Sequence, residues 1–181
     1  RVLGKGVRED GPMGAAREPD LDGVVLALAG LRRLELDGHV SEILSADSRT
    51  GAPVMVPAAA QGALAVETRD SLDREDPQLA QVLADLDDPA TRAAATAERA
   101  VLARLGAGCA APVGALARLT VEGGDALRLE AVVAALDGRT VLRESAVGPL
   151  SEAQVLGTRV AQALLTAGAT RVADLRAGSV S

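Results

Sequence analysis

Residues 89–114, PATRAAATAERAVLARLGAGCAAPVG, decide the fold of the second half of this chain. From Pro89 to Leu105 the stretch is rich in Ala, Leu, Glu and Arg, all good helix formers, so it predicts one long helix that starts after the Asp88-Pro89 break. The helix is expected to stop at Gly106. The loop from Gly106 to Gly114 then presents the only cysteine of the chain, Cys109, between glycines. Beyond it, Gly114–Val121, Ala126–Leu136 and Thr140–Ala146 read as strands, with Gly123-Gly124-Asp125 and Asp137-Gly138 as hairpin turns. Three strands in succession with tight turns make an antiparallel meander. A closing amphipathic helix from Ser151 to about Ala167 has Ser151 as its expected cap and Gly168 as its stop. The second half is therefore an α+β domain: helix, three strands, helix.

Working upstream, Gly62–Arg69 (GALAVETR) reads as a strand after the loop VPAAAQ, and Asp76–Leu86 reads as a helix. The unbroken apolar run Val24–Leu28, bounded by Asp22-Gly23 and Gly30, predicts a strand buried on both faces, and Leu31-Arg32-Arg33-Leu34 continues with helical character. A strand that feeds a helix through a Gly turn belongs to a parallel α/β sheet. Residues 1–20 mix Gly, Pro and charge without apolar periodicity and read as loop or disorder. The expected organisation is thus 1–20 unassigned, 21–87 a remnant of α/β domains, and 88–181 a C-terminal domain. A start at Arg1 leads to the expectation that a longer protein has lost its beginning, or that the N-terminus was engineered or misjoined.

Composition narrows the function. The formal charge of −6 argues against a nucleic-acid partner, and the absence of Phe, Tyr and Trp in 181 residues removes base stacking as a binding mode. The core must be filled by Leu, Val and Ala, which bury less area per residue than aromatics, so modest stability is expected of the isolated chain. One cysteine makes no internal disulfide. No apolar run reaches the roughly 20 residues a bilayer requires, and no signal-like segment opens the chain, so the reading is cytoplasmic with no membrane partner. His39 has no second His or Cys at ligand spacing, which leaves no metal site to propose. The glycines form neither GxGxxG nor a P-loop.

Three residues stand out, each with a plainer alternative. Cys109, just after Gly106 and Gly108, has room for a bulky group close to the backbone and offers a soft nucleophile; the plain alternative is a small buried hydrophobe at a helix end. Arg33, with Arg32, stands where strand gives way to helix and offers a bidentate grip on carboxylates, or simply a solvated helix face. Arg99 carries the same ambiguity, and its neighbour Glu98 does not face it on a helix. Asp85, Asp87 and Asp88 read as a helix-ending charge cluster.

Taken in order, LDGVVLALAGLRRL, VPAAAQGALAVETR, TAERAVLARLGAGCAAPVGALA and LGTRVAQALLTAGA resemble successive segments of the porphobilinogen deaminases (hydroxymethylbilane synthases), from about Leu21 to Asp174. The resemblance implies two domains like those of periplasmic binding proteins, present here as a remnant, and a third α+β domain that carries the cysteine. It implies a transferase of tetrapyrrole (haem) biosynthesis that adds four porphobilinogen units, with release of ammonia, to a dipyrromethane cofactor held as a thioether. By the same resemblance, Cys109 attaches that cofactor, Arg33 binds cofactor and substrate, and Arg99 of TAER binds the cofactor. Gln61 and Gly62 align with a structural QGA motif at the interdomain crossover. The partners implied are porphobilinogen and the growing polypyrrole chain, with a monomer expected for the full-length form.

The departures shape the expectation. The catalytic aspartate of the family and most of its substrate-binding arginines match nothing here, and neither does its Gly-Asn-x-x-Thr-Arg segment. Ala59 stands where many relatives have proline, and Thr68 where many have cysteine. The chain is therefore expected to be a truncated, inactive form of the enzyme. The alternatives are a non-catalytic ligand-binding or interaction module, and a fragment unable to fold because the apolar face of Val24–Leu28 lacks partner strands.

Overall fold

The computed structural model describes residues 2–3, 23–45, 55–120 and 124–176, and the chain falls into two units, residues 1–45 and 46–181. The crossover segment after residue 55 and the helix that follows it lie in the unit that carries Cys109, whereas the sequence division groups them with residues 21–87.

In the first unit, strand β1 (Val2–Leu3) pairs in parallel with β2 (Gly23–Val24), and helix α1 runs from Leu28 to Arg33. The expected strand Val24–Leu28 is thus cut to its first residue. Val25 is 43% exposed and Leu28 already opens the helix, because a two-stranded ribbon buries neither face of an apolar run. Val2–Leu3 is a strand where the sequence reads as loop. The remainder of that expectation, residues 1 and 4–20, lies outside the described residues.

In the second unit the expected strand Gly62–Arg69 is absent. The segment has no regular structure from Ala63 to Arg69, with Leu64 at 98% and Val66 at 68% exposure. Apolar content alone does not make a strand when no neighbour accepts its hydrogen bonds. Helices α2 (Leu72–Glu75) and α3 (Pro77–Asp85) follow, the second capped by Asp76, whose carboxylate accepts from the Leu79 amide at 3.0 Å.

The α+β domain has the element order that the sequence predicts, helix, three antiparallel strands, helix, while residues 121–123 of the first expected hairpin lie outside the described residues. Helix α4 covers Pro89–Leu105, with Pro89 in its first turn and Asp88 as N-cap accepting from the Thr91 amide at 2.6 Å. Hydrogen bonding from Thr91 holds the Asp88 carboxyl below its ordinary range. Strands β3 (Val113–Leu119), β4 (Ala126–Ala134) and β5 (Val141–Pro149) form an antiparallel sheet in that order. Helix α5 (Ala153–Ala167) and the short α6 (Ala169–Val172) close the domain. Ser151 is not a cap: it lies in a 3-10 turn, Leu150–Glu152, and no side chain caps α5.

Both long helices cover one face of the sheet. On the central strand β4, Leu127, Leu129, Ala131 and Val133 are fully buried in alternation. They meet Ala97, Val101 and Leu105 of α4, and Leu156, Val160 and Leu164 of α5, in one cluster. Small side chains let the helices approach closely: a Cβ added at Gly157 would lie 2.6 Å from the Ala100 Cβ and collide with the Ala97 carbonyl oxygen. The free edge of β3 is also covered. The Ala115 amide donates to the Pro57 carbonyl at 2.9 Å and the Ala117 amide to Glu98 Oε1 at 2.7 Å.

Candidate functional site

Cys109 sits at the tip of a loop whose shape is fixed by its backbone. Helix α4 ends in a Schellman turn: Gly106 takes φ of 64°, its amide donates to the Ala103 carbonyl at 3.2 Å, and the Ala107 amide donates to the Leu102 carbonyl at 3.0 Å. The Gly108 amide donates to the carbonyl of Leu175 at 2.8 Å, tying the loop to a buried residue near the C-terminus. The Ala111 amide donates to the Gly108 carbonyl at 3.1 Å, which closes a turn with Cys109 and Ala110 at its two centre positions. The strand β3 begins two residues later. Cys109 is exposed, so the reading of a small buried hydrophobe is set aside.

This arrangement suits covalent attachment of a bulky group. The amides of Gly106, Ala107, Gly108 and Ala111 donate to backbone carbonyls, so modifying the sulfur breaks none of the hydrogen bonds that hold the loop. A side chain added at Gly106 would meet nothing within 4 Å, which leaves space beside the thiol-bearing turn.

Arg99 lies on α4, the helix that delivers the Cys109 loop, and is exposed with no ion-pair partner among the described residues. It lines an open groove together with Gly62, Leu64, Leu83 and Arg92. Arg33 is the last residue of α1 in the first unit, also exposed, with Arg32 beside it in the final turn. The second unit therefore gathers Arg99 and Cys109 on one helix and its terminal loop, while Arg33 belongs to the first. Gln61 and Gly62 lie in an exposed turn, and His39 ends an exposed 3-10 turn. Among the described residues no group of three or more His, Cys, Asp or Glu could hold a metal ion, and no helix is long and apolar enough to cross a membrane.

The residue missed from sequence is Glu98. It is only 6% exposed, with Oε1 on the Ala117 amide and Oε2 on the Ala60 amide at 2.6 Å. Burial pushes its carboxyl above the ordinary glutamate value of 4.5, while the Ala117 and Ala60 amides pull it back. Ala60 is held with φ of 59°, a conformation rare for a residue with a Cβ, in the turn that carries Gln61 and Gly62. Glu98 thus pins the crossover turn and β3 to the helix on which Arg99 lies. Its two partners are 38 and 19 residues away, so no local pattern signals them.

Comparison with known proteins shows what the chain is similar to. Residues 11–77 match the family described as porphobilinogen deaminase, dipyromethane cofactor binding domain, and residues 92–166 match porphobilinogen deaminase, C-terminal domain. The first match begins ten residues ahead of Leu21, where the resemblance read from the residues starts. The porphobilinogen deaminase of Cutibacterium acnes is 50% identical over 169 residues, covering 87% of this chain and 48% of its own length. Porphobilinogen deaminase 1 of Streptomyces avermitilis is 46% identical over 166 residues, covering 88% of this chain and 48% of its own. The porphobilinogen deaminase of Mycobacterium avium is 50% identical over 157 residues, covering 83% and 46%. The chain spans about half the length of the curated relatives it matches.

Proposed function

The chain belongs to the porphobilinogen deaminase family, and from that premise we propose that it is the cofactor-anchoring part of a hydroxymethylbilane synthase, with Cys109 as the point of covalent attachment. The observation that carries the proposal is the exposed thiol at the centre of a turn whose backbone is held on both sides. When bound, the dipyrromethane supplies the pyrrole end to which porphobilinogen units are added. Cys109 contributes the sulfur of a thioether, an uncharged link that cytosolic thiols do not cleave as they would a disulfide. Arg99 and Arg33 contribute guanidinium groups for the ring carboxylates, which a chain of net charge −6 can hold only through placed cations. Glu98 holds the Gln61-Gly62 turn against the helix.

In this proposal residues 21–87 derive from domains like those of periplasmic binding proteins and residues 88–181 form the attachment domain. Deamination and coupling of porphobilinogen are assigned to the full-length form of the family, monomeric and cytoplasmic, whose catalytic aspartate matches no residue of these 181. The chain itself supplies the anchor and part of the grip on the growing polypyrrole.

The test is intact mass after incubation with hydroxymethylbilane, followed by peptide mapping. Attack of the thiol sulfur on the hydroxymethyl carbon forms the S–C bond, breaks the C–O bond and releases water, so a pyrrole adduct is expected on the peptide that contains Cys109. Cys109→Ala is expected to show no adduct and an unchanged far-ultraviolet spectrum, since the side chain is exposed. An unmodified wild-type thiol, or equal labelling in the alanine variant, would sink the assignment.

A further inference from the structure

We propose that Arg92 is a second carboxylate-holding residue of the polypyrrole site, seated with Arg99 in a shallow groove along helix α4. The ligand class rests on the reading of the preceding section; the groove rests on geometry. Arg92 and Arg99 are seven residues apart, two helical turns or about 10 Å along the axis, and so lie on the same side of the helix. Both line a groove of about 500 Å³ whose other walls are Ala95, Thr96, Ala100, Ala103 and Gln154.

No carboxylate lines this groove, in a chain whose acidic residues outnumber its basic ones by 25 to 19. Three alanines make its floor small and apolar, and two guanidiniums and an amide stand around it. A pyrrole ring that bears two carboxylates has the matching shape: a flat apolar face with anionic arms. The Thr96 hydroxyl donates to the Arg92 carbonyl at 2.7 Å and is spent within the helix, which leaves Gln154 as the neutral donor.

Arg92 is ion-paired with Asp87, and Asp87 lies in the adjoining larger groove that Arg92 and Arg99 also line. A ligand carboxylate therefore competes with Asp87 for one guanidinium, whereas Arg99 is free of such competition among the described residues. The consequence is an asymmetric pair: Arg99 grips at once, and Arg92 grips by exchange.

The test uses the Cys109→Ala chain, titrated calorimetrically at low salt with a synthetic dipyrromethane that bears four carboxylates. Arg92→Gln is expected to weaken binding about fivefold, the scale of one exposed charge pair, and to flatten the salt dependence. Arg92→Lys keeps a point charge and is expected to retain most of the affinity. Asp87→Asn, which removes the competitor, is expected to tighten binding about twofold, an outcome that no merely structural role for Arg92 produces. Arg104→Gln, on the same helix but bonded to Gln162 outside the groove, is the neutral control.

No binding at millimolar probe, or equal affinity in parent and Arg92→Gln, would overturn the groove. The mass experiment on Cys109 is read separately. Normal labelling with no Arg92 effect removes this inference alone, and a clear Arg92 effect without labelling removes the anchor alone.

Discussion

Glu98→Ala is expected to destabilise the second unit by about 3 kcal/mol, measured as a lower urea midpoint. The carboxylate serves two backbone amides from separate elements, Ala60 and Ala117, at 2.6 and 2.7 Å. Removing it strands two donors beside a covered strand edge, at about 1–3 kcal/mol each, while relief from burying a charge returns part of that. Glu98→Gln keeps one acceptor oxygen but turns an NH₂ group toward the second amide, so it is expected to recover less than half of the loss.

The pH dependence carries a definite sign. Because burial raises the folded-state value of Glu98 above its ordinary 4.5, the folded state holds its proton more tightly than the unfolded state does. The contribution of Glu98 to stability therefore falls as pH rises from 4.5 through the raised value, and is constant above it. The stability gap between wild type and Glu98→Gln is expected to narrow over that interval. A gap that widens would mean that the two amides, not burial, dominate the carboxyl. Loss of Glu98 is also expected to speed deuterium exchange at Ala60 and Ala117 together, since one side chain protects both.

What the sequence discloses and what it hides divide along physical lines. Helix α4 is legible to both ends because its signals are local: Asp88 caps, Pro89 fits the first turn, and Gly106 accepts the left-handed turn. The meander is legible for the same reason, with Gly138 at φ of 70° in its second hairpin. Val24–Leu28 and Gly62–Arg69 misled because a strand is a property of a pair, and apolar content does not say whether a neighbour exists. Cys109 is singled out by Gly106 and Gly108 just before it, Arg33 and Arg99 only by family resemblance, and the roles proposed for all three come from that resemblance. Glu98 is not legible at all: beside Arg99 in TAER it looks like one more helix charge, and its partners come from a turn and a strand far away in sequence. The groove of Arg92 needs the neighbouring helix, which supplies Gln154.

The packing of α4 on α5 yields the second large effect. Gly157→Ala raises helix propensity by about 1 kcal/mol in an exposed setting, yet here it is expected to destabilise by about 2 kcal/mol net. The added Cβ would meet the Ala97 carbonyl oxygen, and would lie 2.6 Å from the Ala100 Cβ and 3.1 Å from the Ala97 carbonyl carbon. Backbone atoms cannot swing aside as a long side chain can, so the helices must part. Parting them loosens the cluster to which Val101, Leu156 and Val160 belong, in a core that has no aromatic ring to refill the gap. Thr158→Ala, one residue on and exposed, is the control and is expected to be neutral or slightly stabilising. The measurement is urea unfolding of both variants, with unchanged slope and a lower midpoint for Gly157→Ala alone. An unchanged midpoint would show that α5 shifts at no cost, and that the small residues at this crossing do not set the distance between the helix that carries Arg92, Arg99 and the Cys109 loop and the helix behind it.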